Sequence, residues 1–207
     1  MKPQDIEKRS FEIITKELGA RTFPDGIAEV VKRVIHTTAD FDYADNLAFS
    51  PDVIEQAKAA LCNGATIVTD TNMALSGISK PSLTKLGAKA LCLMADPDIA
   101  REAKERGVTR AVVSMEHAAR LDGPLIFAVG NAPTALIRLH ELIGKDEVKP
   151  ALVIGVPVGF VNVVEAKELF IGGKTPYIIA RGRKGGSNVA AAIVNALLYQ
   201  LIRREGF

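Results

Sequence analysis

Of the three histidines in this 207-residue sequence, His36 is the one best placed for chemistry. It follows the apolar-faced stretch 27–35, whose spacing predicts a helix that ends near His36. A helix carboxyl terminus favours a protonated imidazole, whereas the positive charge of Arg33, one turn earlier, disfavours it. Both a proton donor and a histidine that only caps the helix fit this pattern. His140 lies among aliphatic residues of another predicted helix, as structural histidines do, and His117 has no distinguishing pattern.

Ser10 and Arg110 are further candidates because each adjoins an apolar segment. Ser10 interrupts the apolar stripe of a helix predicted over residues 3–18. Its hydroxyl either bonds back to its own helix or faces a polar pocket. Arg110 directly precedes the run 111–115, which we interpret as a strand.

A basic segment follows the apolar run 177–180 and contains Arg181, Arg183 and Lys184. It leads into Gly185-Gly186, where backbone amides can approach a ligand closely. Cations and exposed amides together predict an anion site, although a solvated basic loop fits equally well. The segments 70–73 and 130–133 also follow apolar runs and are expected to line the same cleft.

Several familiar signatures are missing from the sequence. It has no Gly-x-Gly-x-x-Gly fingerprint, no Gly-x-Ser-x-Gly elbow and no histidine pair at metal-ligand spacing. The segment 172–175 resembles the end of a phosphate loop, but Glu168 stands where that motif needs glycine. These absences weaken the nucleotide, serine-hydrolase and metalloenzyme interpretations.

The composition predicts a cytoplasmic protein. A net charge of +2 is too small to predict nucleic-acid binding, and no apolar run approaches the ~20 residues of a membrane span. The amino-terminal residues lack the apolar centre of a signal peptide. Cys62 and Cys92 both adjoin apolar residues, which predicts buried free thiols and suits a reducing compartment.

Strand-length apolar runs alternate with helical patterns along the chain. Helices are predicted over 3–18, from Pro24 to about His36, 50–63, 96–107, 131–144, 163–170 and 188–204, and strands over 65–69, 91–95, 111–115, 125–129, 151–158 and 177–180. The strands are apolar without alternation, as in parallel sheets covered on both faces. This predicts one α/β domain over residues 1–207, a three-layer α/β/α sandwich with a mostly parallel sheet.

Five segments occur in the order found in one known family. They are Ser10-Phe11-Glu12-Ile13-Ile14, Arg33-Val34-Ile35-His36, the segment 130–136 (GNAPTAL), the segment 155–161 (GVPVGFV) and the segment 181–187 (RGRKGGS). Together they resemble precorrin-8X methylmutase, the corrin-ring isomerase of cobalamin biosynthesis, from about Ser10 to Leu198.

The resemblance implies a methyl shift from C-11 to C-12 of a tetrapyrrole polycarboxylate, with no external methyl donor and no cofactor. It implies His36 as the acid–base residue and Ser10, Arg33 and Arg110 as substrate-binding residues. It also implies a three-layer sandwich that assembles as a homodimer. No protein metal site is expected, so any cobalt arrives with the substrate.

Two branches of the pathway handle different rings, one metal-free and one containing cobalt. The run from His36 to Phe41 resembles the cobalt-handling branch. Two other interpretations stay open at the level of sequence. One is a sugar-phosphate or nucleotide-binding α/β enzyme that uses Gly185-Gly186, and the other is a non-catalytic tetrapyrrole carrier.

Overall fold

The computed structural model describes residues 3–202, with side-chain burial from Asp5 onward. Within that range the strands are β1 (Leu47–Phe49), β2 (Thr66–Thr69), β3 (Lys89–Leu91), β4 (Leu125–Val129), β5 (Leu152–Gly155) and β6 (Tyr177–Ala180). They form one sheet in the order β1-β6-β5-β4-β2-β3. All neighbouring pairs run parallel except β1 and β6, which are antiparallel.

The helices of the same range connect these strands. They are α1 (Pro3–Leu18), α2 (Ile27–Thr38), α3 (Tyr43–Asn46), α4 (Val53–Cys62), α5 (Asn72–Gly77), α6 (Lys80–Leu86), α7 (Pro97–Arg106), α8 (Arg110–Ala118), α9 (Pro133–Gly144), α10 (Val163–Glu168) and α11 (Ser187–Leu201). None of them is long and apolar enough to cross a membrane.

Each central strand divides its side chains between two apolar clusters. Ile67 of β2 and Ile126 of β4 belong to one cluster, and their neighbours Val68 and Phe127 belong to the other. Helices α2, α4 and α11 cover the first face, and α8, α9 and α10 cover the second. Burying a side chain such as Phe127 contributes about 1.5–3 kcal/mol. The mostly parallel three-layer α/β/α sandwich predicted from the sequence is therefore confirmed.

The interpretation of residues 111–115 as a strand is wrong, because they lie inside α8. Thr109 accepts a hydrogen bond at its Oγ1 from the Val112 amide and so begins the helix. Ala111 and Met115 pack on the cluster that contains the sheet, whereas Val113 packs against α7. A helix buried on two sides has few polar positions, so its sequence looks like a buried strand.

Other differences are smaller. The strand predicted over 91–95 ends at Leu91, and the edge strand β1 and the helices α5 and α6 have no counterpart in the prediction. The last helix was expected to continue to Arg204, which lies outside the described residues. Both cysteines are free thiols, but Cys62 is exposed at the end of α4 and Cys92 is only half-buried, so the predicted burial is wrong.

Candidate active site

Helix α2 holds Arg33 and His36 by burying its opposite face. Val30, Val34 and Ile35 are almost completely inaccessible to solvent, which leaves Arg33 and His36, three positions apart, to face outward. The helix ends where Ala39 adopts the left-handed conformation, and the Ala39 amide donates to the Ile35 carbonyl over 2.7 Å. His36 thus lies in the last turn, as the sequence predicts.

Helix α1 packs against this outward face and brings Phe11 and Glu7 to it. The rings of Phe11 and His36 stack with their centroids 5.3 Å apart and their planes at 20°. The Arg33 guanidinium carbon lies 4.6 Å from the Phe11 ring centroid and 5.2 Å from that of Tyr199. Arg33 Nη1 pairs with Glu7 Oε1 at 2.5 Å. The arginine is therefore held by two rings and a carboxylate.

Ser10 belongs to the same helix, next to Phe11. Its hydroxyl donates to the Ile6 carbonyl over 2.9 Å, so in this structure Ser10 bonds back to its own helix. This is one of the two states expected from the sequence. The oxygen of such a hydroxyl still has acceptor capacity.

The surroundings of His36 shift its protonation equilibrium. Partial burial lowers the pKa of His36 below its ordinary value, and the Arg33 guanidinium lowers it further. The Glu7 carboxylate raises the pKa and so offsets part of this effect. The net lowering means that the imidazolium, once formed, gives up its proton more readily than an exposed histidine does.

A second group of residues lies where the parallel strands end. Asp70, directly after β2, is 1% exposed and accepts three backbone hydrogen bonds. The Gly130 amide donates to its Oδ1 over 2.8 Å, and the amides of Asn131 and Ala132 donate to its Oδ2 over 2.8 and 2.6 Å. Burial raises the pKa of Asp70, and these three donors oppose the rise. The turn between β4 and α9 is therefore tied to the end of β2.

The start of α11 is joined to the same edge of the sheet. The hydroxyls of Thr71 and Ser187 lie 2.7 Å apart. A Cβ on Gly130 would stand 2.7 Å from the Ser187 Cα and 2.8 Å from the Gly186 carbonyl oxygen. The segments 70–73 and 130–133 thus meet at one edge, as the sequence predicts, although Asp70 faces inward rather than toward a ligand.

A buried lysine holds the basic loop, residues 181–186, by hydrogen bonds to its backbone. Lys167 of α10 is 0% exposed, and its ammonium donates to the carbonyls of Gly182 and Lys184 over 2.8 Å each. Burial lowers the pKa of Lys167 to about 8. Gly185 packs so closely that a Cβ would lie 2.1 Å from the Val156 carbonyl oxygen. Close backbone packing therefore explains this glycine without a phosphate ligand.

The apolar loop, residues 156–161, lies beside the basic loop. The Gly159 amide donates to the Arg183 carbonyl over 3.2 Å, and the Arg183 guanidinium carbon lies 5.4 Å from the Phe160 ring centroid. Phe160 is 81% exposed and Val161 is 76% exposed. The two loops together present apolar and cationic side chains to the same side of the molecule.

Lys184 links these loops to the end of α2. Its ammonium lies 2.6 Å from a carboxylate oxygen of Asp40 and 2.6 Å from one of Asp42. The hydrogen bond from Lys184 lowers the pKa of Asp40, and the two carboxylates raise the pKa of Lys184. His36 is thereby connected, through four residues of chain and one ion pair, to the basic and apolar loops.

Arg110 occupies a different position in this arrangement. It is the exposed first residue of α8, next to Thr109, whose hydroxyl lies 3.1 Å from that of Thr134 on α9. Among the described residues no contact joins Arg110 to Arg33 or His36. Its place beside the start of α9 puts it near the sheet edge, and its predicted role in substrate binding stays a prediction.

Sequence reasoning missed Glu7, Phe11 and Lys167. Glu7 and Arg33 are 26 positions apart, so only the packing of α1 on α2 brings them together. A lysine at a fully buried position is rare, and nothing in the sequence around Lys167 marks it as one. Phe11 stands inside a segment that carries the family resemblance, but its stack on His36 has no signal in the spacing.

The fold defines the class of protein: an α/β protein with a mostly parallel sheet, a class in which ligands bind at the carboxyl ends of the strands. The precorrin-8X methylmutase family model (CbiC) matches residues 5–200, and the chain belongs to that family. Family membership makes it an isomerase of corrin biosynthesis, and it gives no support to the sugar-phosphate or nucleotide-binding alternative.

Individual members of the family align with nearly the whole length of this chain. The chain is 48% identical to a cobalt-precorrin-8 methylmutase from Salmonella typhimurium, with 96% of each sequence covered. It is 44% identical to one from Priestia megaterium, covering 95% of this chain and 88% of that protein. A crystal structure of a precorrin-8X methylmutase from Thermus thermophilus superposes with a TM-score of 0.87 at 40% identity, covering 94% of each chain.

Proposed function

We propose that His36 is the acid–base residue of the methyl shift. We also propose that the substrate of the enzyme is cobalt-precorrin-8 rather than the metal-free ring. The observation that carries this proposal is the position of His36. It is exposed beside a guanidinium, on a helix end tied through Lys184 to a loop of cations and a loop of exposed apolar side chains. An amphipathic, anionic macrocycle needs this combination of groups.

The methyl shift requires no methyl donor from outside the substrate. The bond between the methyl group and C-11 breaks and the bond to C-12 forms within one molecule, so no atoms are gained or lost. The imidazolium of His36 donates its proton to the ring as the conjugation changes, and the proton returns to the imidazole when the product ring has formed. General-acid catalysis of this kind contributes roughly 10²–10⁴-fold. Holding the flexible ring in one shape contributes the remainder.

Substrate carboxylates are expected to bind Arg33, Arg110, Arg181 and Arg183, because guanidinium groups recognise carboxylates with two parallel hydrogen bonds. Ser10 adds a hydroxyl on α1, next to Phe11, whose ring contacts Arg33. The exposed side chains of Met73, Val158 and Phe160 supply apolar surface for the ring face. No cofactor is proposed, and cobalt belongs to the substrate.

The preference for the cobalt-containing ring rests on two supports. The run from His36 to Phe41 resembles the cobalt-handling branch, and the two relatives at 48% and 44% identity bear the name cobalt-precorrin-8 methylmutase. Comparison of kcat/KM for precorrin-8X and cobalt-precorrin-8 under the same conditions tests the preference. A higher kcat/KM for the metal-free ring would contradict it.

The role of His36 is tested by His36→Ala, with formation of the corrin chromophore followed by its visible spectrum. We expect the variant to bind substrate but to lose roughly 10²–10⁴-fold in kcat. His140→Ala is the matched control, because His140 is an exposed histidine on α9 that contacts Phe170 instead. An unimpaired His36→Ala enzyme would remove His36 from the chemistry.

The pH dependence separates a proton donor from a proton acceptor. A donor must be protonated, so kcat/KM should fall as pH rises through the His36 pKa, which burial and the Arg33 guanidinium hold below the ordinary histidine value in the free protein. In the substrate complex, carboxylates near His36 favour the imidazolium, so kcat should fall at a higher pH. A rise in kcat/KM over the same range would show that the neutral imidazole is the active form.

We also propose that the chain works as a homodimer in the cytoplasm. Val161, which is 76% exposed, is an apolar side chain of the kind that partner subunits cover, and two free thiols suit a reducing compartment. Sedimentation analysis of the wild-type protein and of Val161→Ser tests the assembly. A wild-type monomer at micromolar concentration would contradict it.

A further inference from the structure

We propose that Glu7 and Phe11 of α1 are positioning residues for His36: Phe11 fixes the plane of the imidazole, and Glu7 holds and neutralises the Arg33 guanidinium beside it. This inference rests on the proposed role of His36 as proton donor. It adds a function for α1 that the family resemblance, which concerns Ser10 on that helix, does not contain.

The geometry divides α1 into two parts. The last five residues, from Ile14 to Leu18, contribute Ile14 and Leu18 to the apolar core and so anchor the helix. The part of the helix before Ile14 contributes Glu7 and Phe11, which contact Arg33 and His36 rather than the core. A helix needed only for stability would present aliphatic side chains to α2 along its whole length.

Phe11 restricts the imidazole directly. With centroids 5.3 Å apart and planes at 20°, the two rings are offset-stacked, an arrangement that favours one orientation of the histidine side chain. The same ring carries the Arg33 guanidinium 4.6 Å from its centroid. Phe11 therefore sets the mutual position of the donor and of the nearest cation.

Glu7 acts through Arg33. An arginine one turn from His36 opposes the formation of imidazolium, which a proton donor must form in every cycle. Glu7 and Arg33 are both largely buried, with 16% and 18% of their side chains exposed, so their attraction is only weakly screened. The Glu7 carboxylate therefore offsets part of the effect that the Arg33 guanidinium has on the pKa of His36.

Within the part of the chain that the structure describes, two charged groups act on His36. Arg33 lies on its own helix and Glu7 lies on α1, while Tyr199 of α11 packs on Arg33. Glu7→Gln removes the negative charge and keeps the shape, so the pKa of His36 should fall further. Phe11→Leu removes the stacked ring and its desolvation, so the pKa should rise toward the ordinary value. Glu7→Gln and Phe11→Leu, which lie one turn apart on α1, should thus move the pKa of His36 in opposite directions.

The experiment is an NMR titration of the three histidines in the whole protein. Signals missing from His36→Ala identify His36, and His117 and His140 serve as internal references. Glu12→Gln is the matched control for Glu7→Gln, because Glu12 lies on α1 but pairs with Arg9 at 3.0 Å. Phe11→Tyr keeps the stacked ring, so the pKa of His36 in this variant should equal that of the wild type.

Activity provides the second measurement. When kcat/KM is measured above the His36 pKa, Glu7→Gln should reduce it tenfold for each unit by which the pKa falls. Phe11→Leu should lower kcat with little change in KM, because the donor is present but poorly oriented. Folded variants of Glu7 and Phe11 that leave the His36 pKa unchanged would overturn the inference. A His36 pKa that moves while the pH dependence of kcat/KM does not would support the inference and overturn His36 as the proton donor.

Discussion

Replacing Asp70 with asparagine removes the carboxylate that holds the turn between β4 and α9. The wild-type side chain accepts one backbone N–H at Oδ1 and two at Oδ2. Asparagine offers one oxygen and one NH₂ group, so at least one of the three N–H groups must face another donor. The site is 1% exposed, so water cannot take the place of the missing acceptor.

The magnitude follows from these contacts. A buried donor left without a partner costs about 1–3 kcal/mol, and hydrogen bonds to a charged acceptor are worth about 1.5–3 kcal/mol each. Removing a buried charge returns part of this loss, because burial raises the pKa of Asp70 and so disfavours the carboxylate. We expect Asp70→Asn to lower the free energy of unfolding by about 2–3 kcal/mol. For a chain of this size that corresponds to a Tm lower by roughly 5–10 °C.

Urea denaturation followed by far-UV circular dichroism measures this loss, and an unchanged m-value would show that the unfolded states are comparable. Asp122→Asn is the matched control, since Asp122 lies in an exposed turn and makes no hydrogen bond or ion pair within residues 3–202. The control should stay within about 0.5 kcal/mol of wild type. The same small effect in Asp70→Asn would refute the argument that this carboxylate organises the turn.

Two more perturbations concern the basic loop. Lys167→Met should be nearly as stable as wild type at pH 7, because two carbonyls lose their donor but a buried charge is also removed. As pH rises from about 8 to 10.5 the folded lysine is neutral while the unfolded one is still charged, so wild type should gain roughly 3 kcal/mol over the variant. Gly185→Ala should destabilise by about 1–3 kcal/mol and raise KM, because its Cβ would collide with the Val156 carbonyl.

Each of these has its own control. The difference between wild type and Lys167→Met cancels the titration of every other group, so a difference that is constant with pH would refute the assignment of a depressed pKa to Lys167. Gly144→Ala adds the same methyl group at a helical position where, apart from its own helix backbone and chain neighbours, no heavy atom lies within 4 Å, and it should be neutral or slightly stabilising. Equal stability for Gly185→Ala and Gly144→Ala would contradict the steric argument.

Much of the fold could be predicted because parallel strands buried on both faces are apolar throughout. This pattern predicts strands β2, β4 and β6. Because helices alternate with these strands along the chain, the sequence also predicts the three layers. The same pattern misleads at α8, where Val113 faces one neighbour and Met115 another. The strand β1 has three residues and one neighbour, too little for any periodic signal.

Two kinds of neighbours in the site were predictable: residues that share one helix, and segments that follow parallel strands, such as 70–73 and 130–133. His36 and Arg33 are three positions apart on α2, so a helical period places them together. Glu7 reaches Arg33 across the packing of two helices, and Lys167 reaches the basic loop from α10. Such contacts depend on the angles at which elements pack, which neither composition nor spacing specifies.

The position of Tyr199 makes it a fluorescent reporter of ligand binding. The sequence contains no tryptophan and three tyrosines, of which Tyr43 and Tyr177 are buried in the apolar clusters. Tyr199 lies against Arg33, so its emission reports on the surroundings of α2. Phenylalanine at positions 43 and 177 would leave one fluorophore per chain. Because a tetrapyrrole absorbs strongly in the near ultraviolet, quenching of that emission by energy transfer gives a titration of ligand binding that needs no added label.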